Sequence, residues 1–219
     1  MNVLLFGASG MVGQGVLREC LLDAGVTRIV SVVRRPTAER DPKLREIVAL
    51  DVGELAAHEA SLIGTDACFF CAGVSSVGMT EAAYTRVTYD VTLSAAQMLV
   101  RVAPQATFIY VSGRGTDSTE RGRSMWARVK GRTENALLAL PFRAAYMFRP
   151  AFIQPMHGIR SRTALYRTVY TLVSPLSALL RRWAPGIATS TEQVGRAMLA
   201  VARDGYPTRI LESRDINRV

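Results

Sequence analysis

Within its first thirteen residues the chain passes from four consecutive apolar side chains, Val3-Leu4-Leu5-Phe6, straight into Gly7-Ala8-Ser9-Gly10-Met11-Val12-Gly13. A buried strand that empties into glycines at the mouth of a helix has few uses. The first glycine permits a tight turn, the second a close approach of backbone to a pyrophosphate, and the third close packing of helix on strand. The helix that begins there adds its partial positive charge. The spacing Gly-x-x-Gly-x-x-Gly departs from the usual Gly-x-Gly-x-x-Gly, so the strand before it and the helix after it carry the reading. Backbone of Met11 and the backbone or hydroxyl of Ser9 are placed to add contacts to phosphate.

The same alternation of short apolar run and helical period continues along the chain. Strands are expected over residues 3–6, 28–33, 47–50, 67–72, 107–111 and 144–148, and helices over 11–23, 81–102, 124–140 and 191–203. Strand and helix by turns imply an α/β fold, a doubly wound parallel sheet covered on both faces. The Rossmann-like arrangement follows, as one domain over residues 1–219. Residues 151–190 break the rhythm with several prolines and aromatic residues, and read as a late insertion forming the substrate side. Its most apolar part, 164–180, holds Arg167 and Pro175 and is too short and interrupted for a membrane span.

Charge narrows the ligand. The 219 residues carry 27 Lys and Arg against 18 Asp and Glu, a formal net charge of +9, which favours anions. The basic residues are dispersed and no nucleic-acid motif accompanies them, so a phosphate-rich cofactor is expected and nucleic acid is not. After the second strand, where a carboxylate would bind an adenosine ribose, stand Arg34-Arg35-Pro36. Two guanidinium forks suit a 2'-phosphate, which favours NADP over NAD. Asp51 and Val52 are placed to flank the adenine. The two histidines, His58 and His157, lack partners at ligand spacing, so no metal is expected. Three cysteines argue against a disulfide framework, and the start of the chain shows no signal-peptide pattern. A cytoplasmic location is therefore expected. Cys68 and Cys71, three apart on a strand, should face opposite sides of the sheet rather than form a redox pair.

With Gly7 to Gly13, the strand end "CFFCAG" bearing Ala72 and Gly73, "YVSG" at 110–113 and Lys130-Gly131 opening "KGRTENALL", the sequence resembles the short-chain dehydrogenase/reductase superfamily. More narrowly it resembles the atypical, epimerase-like branch that includes the Tat-interacting-protein type and the nitrogen-metabolite-repression type of NADP-binding regulator. The resemblance places Ala72 and Gly73 at the cofactor and Arg149-Pro150 at a turn beside the nicotinamide. It makes Ser112 and Lys130 the catalytic pair, Lys130 also holding the nicotinamide ribose. Helices 81–102 and 124–140 match the pair that dimerises many relatives, which leaves a homodimer open.

In that superfamily a tyrosine stands four residues before the lysine; here the position is Trp126. An indole N–H donates but does not ionise usefully, so Trp126 cannot act as general acid. It should wall the site, or else anchor the helix in the core. Two readings follow. One is an oxidoreductase or epimerase-like enzyme on an unidentified small substrate, its proton coming from Ser112, Tyr110, a water, or Tyr166 or Tyr170 of the insertion. The other is a non-catalytic NADP(H)-sensing protein without a substrate. Arg114, Arg121, Arg123 and Arg128 crowd the loop after the fifth strand and could steer an acidic ligand.

Overall fold

A computed structural model describes residues 1–159 and 188–219 of the chain. Seven parallel strands form the main sheet: β1 (Asn2–Phe6), β2 (Arg28–Val33), β3 (Leu44–Val48), β4 (Ala67–Phe70), β5 (Thr107–Val111), β6 (Ala144–Arg149) and β9 (Ile210–Glu212), in the order β3-β2-β1-β4-β5-β6-β9. The order reverses between β1 and β4, so the carboxyl ends of these two strands flank the crevice where doubly wound sheets bind ligands. A second, two-stranded parallel sheet joins β7 (Phe152–Gln154) to β8 (Ala188–Ser190), at the two ends of the late segment.

The sheet is apolar on both faces because both are covered. On one side Leu5, Ile29, Phe69 and Phe148 pack with Val16 and Cys20 of α1 (Met11–Leu22) and with Val194 and Met198 of α6 (Thr191–Asp204). On the other, Leu4, Cys68, Phe70 and Tyr110 pack with Ala95 and Leu99 of α4 (Val91–Val102) and Leu137 of α5 (Met125–Leu138). Cys68 belongs to the second layer and Cys71 lies against the first, on opposite faces as the strand period requires.

Several boundaries differ from the sequence reading. The third strand runs Leu44–Val48 rather than 47–50, since it pairs with β2 from Ile29↔Leu44 to Val33↔Val48. It is an edge strand, so Arg45 and Glu46 are tolerated in it, while the apolar Leu50 is 71% exposed beyond it. The fourth strand stops at Phe70, short of 72, where the backbone turns under Gly7. The helix expected over 81–102 is α3 (Glu81–Thr85), a π-helical turn Arg86–Asp90, and α4. A 3-10 turn Gly53–His58 with α2 (Glu59–Leu62), the short strands β7, β8 and β9, and α7 (Ser213–Ile216) lack the periodicity to be read from sequence. Tyr166, Tyr170 and the stretch 164–180 lie outside the described residues.

Candidate functional site

The carboxyl edge of β1 is built by backbone geometry. Gly7 takes φ +84°, and a Cβ on it would fall 2.5 Å from the Ala72 nitrogen, so β1 and β4 could not approach with any other residue there. A Cβ on Gly13 would come within 2.0 Å of the Gly7 carbonyl oxygen, which fixes the first turn of α1 against the loop. Gly10 N–H donates to Gly7 O at 2.9 Å and Gly10 then serves as the N-cap of α1. That cap has no side-chain hydrogen bond and the first turn holds no acidic residue. Neither the cap nor the first turn thus supplies an anion to the N-terminal amides and the positive end of the helix dipole. Ser9 is half-buried beside them, Met11 packs on the core, Ala72 lies under Gly7, and Gly73 stands exposed with open space around it.

Arg34 and Arg35 follow directly on the neighbouring strand β2, which ends at Val33. Both are exposed at the same edge of the sheet, and neither makes a hydrogen bond or ion pair among the described residues. Beyond β3, Asp51 accepts a hydrogen bond from the Glu54 amide at 3.2 Å and so caps the 3-10 turn, while Val52 packs against the core. Its carboxylate thus has a structural partner at the edge where the sequence placed adenine.

On the far side of the crevice, β5 ends at Val111 and α5 runs back across it. Lys130, half-buried on α5, donates to the main-chain carbonyl of Ser112. Burial pushes its ammonium down from the usual 10.5 to about 8, and Glu134, one turn on, opposes that shift. The Ser112 hydroxyl donates to Glu134 Oε1 at 2.5 Å, and the Ser112 amide donates to Phe148 O at 2.9 Å. Glu134 is 0% exposed, and Arg149 of β6 grips it in a bidentate pair through Nε, 3.0 Å from Oε1, and its terminal nitrogen. The same guanidinium donates to Ser118 Oγ at 2.5 Å. Gly131 permits this crowding: a Cβ there would sit 1.8 Å from the Asp117 carbonyl. The indole of Trp126 lies against Gly115 in the loop after β5.

The structure thus brings Gly7, Ser9, Gly10, Met11, Gly13, Ala72 and Gly73 to one side of the crevice, Arg34 and Arg35 to its end, and Ser112 and Lys130 to the other side. Of the proton sources the sequence offered, Ser112 has its single proton engaged by Glu134. Tyr110 is buried in the core, and that burial pushes its phenol above the ordinary range. Of the loop arginines, Arg128 is tied to Glu81 at 2.6 Å and to Gly122 O. Glu134 was missed by pattern reading, although its place four residues after Lys130 puts both on one face of the helix.

Residues 3–119 match the NAD dependent epimerase/dehydratase family. Among individual proteins, the chain is 29% identical over 162 residues to Protein fmp52, mitochondrial, from Emericella nidulans, an alignment covering 69% of this chain and 66% of that protein, slightly under two thirds of its length. It is 25% identical over 201 residues to Protein HTATIP2 from Rattus norvegicus, covering 90% and 79%. A crystal structure of a short chain dehydrogenase from Burkholderia cenocepacia J2315 in complex with NADP superposes with a TM-score of 0.68 at 16% identity, covering 99% of this chain and 90% of that one. The fungal relative's name overturns the cytoplasmic expectation: free cysteines and the look of the first residues do not separate one reducing compartment from another. The strand order, the glycine loop and these likenesses agree, and the chain belongs to the NAD dependent epimerase/dehydratase family, as an atypical, epimerase-like short-chain dehydrogenase/reductase with the Rossmann-like NAD(P)-binding fold.

Proposed function

We propose that this chain binds NADP(H) across the carboxyl edge of its sheet and is an oxidoreductase or epimerase-like enzyme acting on a small substrate. The observation that carries the cofactor reading is the mouth of α1. Its N-terminus has neither a capping side chain nor a first-turn carboxylate, and it opens beside glycines whose Cβ atoms could not fit. Such a terminus is built for an anion brought from outside. Arg34 and Arg35, exposed and without partners among the described residues, would hold the 2'-phosphate of NADP, and Lys130 would reach the nicotinamide ribose. The cofactor, when bound, supplies hydride transfer. This chain's own residues orient it, exclude water, and offer at Lys130 an ammonium that titrates near pH 8.

Calorimetric titration with NADPH and NADH tests the reading. Replacing Arg34 and Arg35 together by glutamine should weaken NADPH roughly 10- to 100-fold, the worth of about one charge-assisted hydrogen bond, and leave NADH nearly unchanged. Equal loss for both cofactors sinks the 2'-phosphate assignment. A second reading, a cofactor sensor without turnover, is supported by Trp126 standing four residues before Lys130 and by the engaged proton of Ser112. Cofactor oxidation against a panel of carbonyl compounds separates the two: turnover by the NADPH-bound protein supports the enzyme, and binding without turnover supports the sensor.

A further inference from the structure

We propose that Glu134 is the positioning residue of this site: it locks Ser112 so that the Ser112 carbonyl holds the Lys130 ammonium at the crevice, with its own buried carboxylate one helical turn from that ammonium. The proposal rests on the cofactor reading above and adds a role for a residue that touches neither cofactor nor substrate.

The geometry is a relay of three contacts. Arg149 clamps Glu134 from β6, Glu134 accepts the Ser112 hydroxyl proton at 2.5 Å, and Ser112 offers its carbonyl to Lys130. Ser112 is also fixed by its amide on Phe148 O, so its carbonyl has little freedom to turn. A serine in this place thus works through its main chain, its hydroxyl serving as the fastening. Glu134 is fully buried, and a guanidinium and a hydroxyl satisfy its carboxylate there. That negative charge sits one helical turn from Lys130, and it is the charge that opposes the effect of burial on the lysine.

Among the described residues, the other charged or titratable groups at this junction are Arg149 of β6, Glu212 ending β9, Arg114 and Asp117 of the loop, and Tyr110 of β5 with Tyr84 of α3 beside it. Arg149 is spent on Glu134, and Glu212 lies 4.0 Å from the same guanidinium. Asp117 is held below the carboxylate range by Thr119 and the Gly122 amide, so it stays charged throughout. Tyr110 stays neutral, its phenol pushed up by burial. Among the described residues at this junction, Lys130 is therefore the group whose charge changes near pH 8.

Glu134→Gln keeps the shape and removes the charge. With it, the midpoint at which Lys130 gains reactivity toward acetic anhydride, read by peptide mass spectrometry on the protein without cofactor, should fall by at least half a pH unit from about 8. The pH at which NADPH affinity begins to weaken should fall by the same amount. Both midpoints unmoved in folded Glu134→Gln overturns the proposal, because a merely structural glutamate would alter unfolding and leave the lysine's titration in place. If Glu134→Gln does not fold, Glu134→Asp carries the test. It keeps the charge beside Arg149 but draws it back from Ser112, so a midpoint below the wild-type value supports the relay and a wild-type midpoint overturns it. Failure of the wild-type protein to bind either NADPH or NADH sinks the cofactor reading alone, since the labelling midpoint is measured without cofactor.

Discussion

The two walls of the crevice are made by different means. On the β1 side the site is backbone: glycines, an uncapped helix end and a turn held by the Gly10 to Gly7 hydrogen bond. On the β5 side it is side chain: a lysine, a serine, a buried glutamate and an arginine drawn from three elements. The first wall depends on what is missing, since a single Cβ would destroy it. The second depends on what is present, and fails when one member is removed and leaves its partner charged in the dry interior. A phosphate with many oxygens can be met by a generic concavity, whereas a ribose and a reacting carbon need groups fixed at particular points.

The contrast can be broken at its strongest point with Arg149→Ala. Removing the guanidinium leaves Glu134 buried without its counter-ion and should cost about 3–5 kcal/mol in urea unfolding. A loss under about 1 kcal/mol would show that the network on this side is not what holds it. The opposing wall is probed by Gly13→Ala. The new methyl meets the Gly7 carbonyl at 2.0 Å, and such overpacking should cost about 1–3 kcal/mol while taking cofactor binding below detection. Full retention of binding would mean that the loop yields without harm. The smallest effect sharpens the comparison through pH. Burial lowers Lys130 from 10.5 to about 8, so between these values the unfolded chain holds a proton that the folded chain has released. Folding stability should therefore gain from Lys130 as pH rises from about 8 toward 10.5, and the gain should disappear in Lys130→Met, measured as the difference in midpoint temperature between the two proteins across that range. Parallel curves would place the lysine in water.

How far the sequence could be read follows the same division. The β1 wall was legible because glycine spacing and strand-to-helix order are written locally, within thirteen residues. The position of Arg34 and Arg35 at the same edge was legible because they follow a strand whose neighbour was already placed. The pairing of Ser112 with Glu134 joins residues 22 apart, and that of Glu134 with Arg149 joins residues 15 apart on another element. No periodicity announces such a pairing, because a glutamate at helical spacing is usually a solvated charge. The lysine was placed from the family resemblance and the glutamate four residues on was passed over, since a turn of helix alone does not reveal which face is dry. The edge strand β3 was misplaced for a related reason: an exposed strand has no need of an unbroken apolar run.

The helix that opens onto the crevice is covered by the last long helix of the chain. Gly15 of α1 lies so close to α6 that a Cβ would sit 2.6 Å from Thr191 Cβ, and Arg196 and Arg203 reach Glu19 and Asp23 at 3.2 and 2.5 Å. These contacts join residues up to 180 positions apart. During synthesis the glycine turn therefore emerges well before α6, and nearly two hundred residues pass before α1 acquires its cover. A nascent chain stopped before residue 191 would carry the glycine motif intact and still leave the apolar flank of α1 open to other chains, an opportunity for chaperones to bind and for aggregation to begin.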